Sequence, residues 1–127
     1  YEFASKAVEN YKRIRPVVQF GDLYRLVSPY GKNGWAAHMH VSKDKKEAVY
    51  FAYSLKYHGR TTYLETKLKG LDPDKNYKVT ELNTRGWNRS FYGDGQTFSG
   101  DYLMKVGINL NIGNPFDSSV LLLTEQP

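Results

Sequence analysis

The sequence predicts a mainly β fold, an antiparallel, Greek-key-like β-sandwich preceded by one N-terminal amphipathic helix. Three observations carry that expectation. Phe3, Ala7, Tyr11, Ile14 and Val18 recur at three- and four-residue spacing, which is one apolar stripe along a helix, and no comparable stretch follows. Downstream, six or seven short apolar or alternating runs are separated by Gly, Pro, Asp and Asn turns, the spacing of a sandwich or barrel. Two of these runs, Ala48–Leu55 and Val120–Thr124, are apolar on both faces. Such strands suit the middle of a sheet covered by a second sheet on one side and by the helix, or a neighbouring domain, on the other.

The elements follow in order. The helix begins near Phe3 and should end or kink at Arg15, because Pro16 disfavours helical geometry in the residue before it. Val17 to Gln19 are a possible continuation, which Gly21 stops. Leu23–Val27 reads as a first strand ended by Ser28 and Pro29, and GKNG at 31–34 as a turn. Trp35, Ala37, Met39 and Val41 alternate with Ala36, His38 and His40, so Trp35 falls on the core side of a half-buried strand. A turn at Ser42–Lys46 folds that strand into a hairpin with Ala48–Leu55. After a loop at 57–60, Thr62, Leu64, Thr66 and Leu68 oppose Tyr63, Glu65, Lys67 and Lys69 on another amphipathic strand. Asp72 and Pro73 are the residues a type I turn prefers at its first two positions, and Tyr77–Leu82 is expected to pair back across it. The glycine-rich stretch 83–100 reads as an irregular loop. Ser99 caps one helical turn over Asp101–Val106, and Gly107 ends it. Ile108, Leu110 and Ile112 alternate with Asn109 and Asn111 on a further strand.

With 127 residues, 40% hydrophobic and 15% aromatic, the chain suits one domain with a real core. Its apolar runs are too short to cross a membrane, so no membrane partner is expected. Cysteine is absent, which removes disulfides, thiolate catalysis and cysteine-ligated metals. The compartment stays open, with the cytoplasm the expectation that fits a cysteine-free chain lacking a signal segment. A net charge of +5 raises the question of nucleic acid. Its lysines sit singly or in mixed groups, as at Lys43, Asp44, Lys45 and Lys46, rather than as a track for phosphates, so no nucleic-acid partner is expected. Entering a helix almost at Tyr1, the chain reads as an excised piece whose stripe needs a surface to cover, in this chain or beyond it.

Four stretches are informative together: YKRIRPVVQFGDLYRLVSP (11–29), AVYFAY (48–53), LKGLDPDKNYKV (68–79) and TFSGDYLMKVG (97–107). They resemble the C-terminal β-sandwich of glycoside hydrolase family 36 α-galactosidases, with the last helix of the catalytic barrel attached. The ordered series GDLYRL, GLDP and SGDYLM carries most of the specificity. The resemblance implies a division into residues 1–20, terminal barrel helix and linker, and 21–127, the sandwich. It implies a parent enzyme that removes terminal α-galactose with retention, from melibiose, raffinose-type sugars or galactomannan. That chemistry uses two carboxylates about 5 to 5.5 Å apart. In the family both are aspartates on the barrel, so no catalytic residue is assigned here and the fragment alone is expected to be inactive. The implied role is to pack against and stabilise the barrel of the same parent chain, with a homo-oligomer of the parent as a further expectation.

Other candidates have plain readings beside the functional ones. Asp72 and Asp74 flank Pro73, and turn hydrogen bonding accounts for both. Gly93 and Gly95 around Asp94 suit tight turns better than a phosphate cradle, which a strand and helix would have to frame. His38 and His40 share a strand face, whose plain reading is an exposed polar surface; only His58 remains as a third imidazole, so no metal site and no cofactor are assigned. Trp87, Phe91 and Tyr92 are sugar-stacking candidates in a long loop, the basis of an alternative in which the domain is a carbohydrate-binding module recruiting the enzyme to galactoside polymers. Anchoring of that loop is the plainer reading.

Overall fold

A computed structural model describes residues 2–27, 35–54, 64–82, 95–110 and 118–126. Helix α1 (Glu2–Phe20) leads into strands β1 (Asp22–Val27), β2 (Trp35–Val41) and β3 (Glu47–Ser54). Then come β4 (Leu64–Thr66), β5 (Asn76–Glu81), β6 (Gln96–Ser99), helix α2 (Gly100–Lys105), β7 (Ile108–Leu110) and β8 (Ser118–Gln126). Six strands form one antiparallel sheet in the order β1-β2-β3-β8-β5-β6, and β4 pairs with β7 in a second, two-stranded sheet. The mainly β sandwich expected from the sequence is the fold observed.

The hairpin β2–β3 runs in unbroken register from Trp35↔Ser54 to Val41↔Ala48. Its turn is built by Asp44, whose carboxylate accepts from the Ser42 hydroxyl at 2.7 Å and the Lys46 amide at 3.0 Å. The register puts Ala37, Met39 and Val41 of β2 on the same face as Ala48, Tyr50 and Ala52 of β3, and Tyr77 and Val79 of β5 join Leu121 and Leu123 of β8 there. Leu68, Leu71, Leu103 and Ile108 close over them from the second layer. The Tyr50 hydroxyl bonds the buried Thr66 hydroxyl at 3.0 Å, tying the layers together, and burial pushes its pKa up. At the other end, the Tyr77 hydroxyl donates to the Lys45 carbonyl at 2.7 Å and accepts from the Asp72 amide at 3.0 Å.

Two local readings hold closely. Asp72 accepts from the Asp74 amide at 2.9 Å through its side chain and from the Lys75 amide at 3.2 Å through its carbonyl, closing the turn around Pro73. Ser99 caps α2 by accepting from the Tyr102 amide at 3.1 Å, and Gly107 leaves the helix at φ +86°. A Cβ on Gly107 would also stand 2.1 Å from the Thr66 carbonyl oxygen, so both backbone shape and space select glycine.

At Pro16 the helix takes the continuation: α1 runs to Phe20, and Gly21 returns a hydrogen bond to the Val17 carbonyl at 2.8 Å. A proline costs the helix one amide donor, and Ile14 and Val17 on either side of it are buried. Three expectations are corrected. The apolar stripe is displaced: Ile14 and Val17 are buried and Val18 half-buried, whereas Tyr11 is 59% exposed. β5 pairs with β8 and β6, not back across the Pro73 turn, because that turn moves the chain from the second layer into the large sheet. Finally, residues 96–99 form a strand inside the stretch read as loop, recruited by the edge of β5.

Candidate functional site

The second face of the large sheet presents Val49, Phe51 and Tyr53 from β3, Ala36, His38 and His40 from β2, and Leu23 and Arg25 from β1, since pleating alternates these with the core residues. β8 adds Val120 and Leu122. Helix α1 covers only part of it. Ile14 and Val17 seal Val49 and Leu122, with Val18, Phe51, Leu82 and Val120 packed around them. Full burial of two such side chains contributes about 1.5–3 kcal/mol each. Arg13 anchors the helix by a two-pronged pair with Glu47, both contacts 3.0 Å, which raises the guanidinium pKa.

Beyond the helix the face stays open as a groove of about 390 Å³, lined by Leu23, Arg25, Ala36, Ala37, His38, His40 and Tyr53. Leu23 is 50% exposed and Tyr53 38%. His38 stacks on Phe51 with ring centres 5.0 Å apart and planes 17° from parallel, and reaches Tyr53 at 6.1 Å. His40 meets His38 edge-on at 5.5 Å and Phe51 at 6.0 Å. Burial lowers the pKa of both imidazoles, and His40 and Arg25 lower that of His38 further. This histidine face is therefore an aromatic, half-buried surface and not the solvated polar strand face expected of it.

Among the described residues no three His, Cys, Asp or Glu side chains converge as a metal site, and His58 lies outside those residues. Trp87, Phe91, Tyr92 and Asp94 also lie outside them. Asp72 and Asp74 belong to their turn. What reading by single strands missed is the convergence of Arg25, His38 and Phe51. The signal was available in the hairpin, whose register sets His38 opposite Phe51. Arg25, the third member, requires the β1 pairing.

The family model described as the glycosyl hydrolase family 36 C-terminal domain matches residues 35–123. The chain belongs to that family. α-Galactosidase 1 of Pediococcus pentosaceus is 37% identical over 106 residues, covering 84% of this chain and 13% of the relative. The α-galactosidase of Lactobacillus brevis has the same fold, with a TM-score of 0.78 at 27% identity over 96% of this chain and 16% of that one. A variant of the family 36 α-galactosidase AgaA of Geobacillus stearothermophilus, solved with raffinose, gives 0.75 at 30% identity over 94% of this chain and 15% of its own. The chain thus spans roughly a seventh of the length of these family 36 relatives, as a C-terminal domain does.

Proposed function

We propose that this domain is a non-catalytic C-terminal unit that packs against the catalytic barrel of an α-galactosidase and stabilises it. The observation that carries this reading is the incompletely covered second face. α1 seals Val49 and Leu122, yet Leu23, Tyr53, the imidazoles and the far side of the helix, with Val8 54% and Phe20 72% exposed, remain open beside it. An apolar surface of this kind, rimmed by charge, marks an interaction site. In this reading α1 is the last element of the barrel, residues 21–127 are the sandwich, and hydrolysis of terminal α-galactosides belongs to the barrel.

A replacement experiment tests it. Deleting the matching C-terminal segment from the Pediococcus pentosaceus α-galactosidase 1 should cost that enzyme soluble yield and heat resistance, and grafting this chain in its place should restore both. A deletion without effect, or turnover of an aryl α-galactoside by the 127-residue chain alone, overturns the reading.

A further inference from the structure

Among the described residues, the open groove gathers cationic and donor groups without an acid. Arg25 stands opposite His38 in the β1–β2 register, and His40 follows two residues along the same face. The Nδ1 atom of His40 is buried and makes no hydrogen bond. A buried polar atom left in that state costs about 1–3 kcal/mol. The carboxylates closest along the chain are engaged elsewhere, Asp22 with Lys43 and Glu47 with Arg13. The other described lining residues are Leu23, Ala36, Ala37 and Tyr53, which is apolar but for its hydroxyl. At about 390 Å³ the groove holds far more than one water, whose share of liquid volume is roughly 30 Å³, so a whole side chain with its flank fits.

We propose that this groove is the seat for an acidic side chain presented by the catalytic domain, with Arg25 taking the carboxylate and the imidazoles of His38 and His40 donating to it from the floor. The inference rests on the packing role above and names the chemistry of the contact. A guanidinium beside an apolar wall suits a carboxylate on an apolar flank, because two parallel N–H bonds fix both position and orientation. Desolvation disfavours the charged form of both imidazoles in the free domain, and an arriving carboxylate acts the other way by favouring it. The contact therefore strengthens itself on docking.

The test is made in the whole parent enzyme by heat-inactivation rate. Arg25→Met should speed inactivation about tenfold, the size of one charge-assisted hydrogen bond, and Arg25→Glu should speed it more by setting acid against acid. The gap between wild type and Arg25→Met should narrow at about 1 M salt. Wild-type inactivation in both Arg25 variants, in an enzyme that does lose heat resistance when residues 21–127 are deleted, overturns the seat and leaves the packing role standing. An enzyme indifferent to that deletion sinks the packing role and the seat with it. A gap that salt does not change assigns Arg25 to packing through its stem and overturns the carboxylate.

Discussion

The two faces of the large sheet are built from the same strands and end up differently finished. One is closed by α2 and the short second sheet, with Met39, Tyr50, Tyr77, Leu103, Leu121 and Leu123 fully buried. Among the described residues, the other is closed where Ile14 and Val17 lie, and then opens onto Arg25, His38, His40 and Tyr53. The closed face holds the domain together, whereas the open face is available for contact with something outside it. Strand β3 serves both, since its alternate residues point to either side.

Leu103→Ala should show the largest effect, about 3 kcal/mol in a urea unfolding series, because it empties the centre of the closed face. Ile14→Ala should cost less, about 2 kcal/mol, at a contact with fewer neighbours. Equal losses for the two would break the asymmetry. Tyr50→Phe removes the hydroxyl that pairs the buried Thr66 across the layers and should cost about 1–2 kcal/mol. Ser99→Ala removes the α2 cap and should cost about 1 kcal/mol by the same measurement.

The smallest effect is the one that separates the faces by pH. His38 and His40 have pKa values below the ordinary 6.5, with Arg25 beside them, so the folded chain binds fewer protons than the unfolded chain around that value. Stability should accordingly fall as pH drops through 6.5, with the loss complete once pH lies below the folded values. The double variant His38→Gln, His40→Gln should flatten this acid limb between about pH 7.5 and about pH 5. An acid limb as steep as wild type would place the titration on other groups.

Local chemistry was readable in the sequence and strand partnership was not. The β2–β3 hairpin, the Pro73 turn and the Ser99 cap each depend on residues within a few positions, and each stands where the pattern puts it. β6 and the β4–β7 pairing depend on edges supplied from far along the chain, which Gln96–Ser99 does not advertise. At Pro16 the sequence left an end and a continuation both open for a related reason, since Ile14 and Val17 on either side of it are buried by tertiary contacts. The groove followed the same rule. Two histidines on one strand suggested either metal or solvent, and only the neighbouring strands supply Phe51 and Arg25.

Strand β8 lies between β3 and β5, although it follows all the other described strands in sequence. Until it arrives, β1–β2–β3 and β5–β6 are two separate half-sheets, each with a bare central edge. At the usual 5–20 residues per second of synthesis, the stretch between β5 and β8 leaves those edges waiting for roughly several seconds on the ribosome. Bare apolar edges recruit other strands. A nonsense codon just before Ser118 would thus yield aggregates and work for chaperones in place of a slightly weakened domain, and the integrity of the whole sheet is decided by the nine residues of β8.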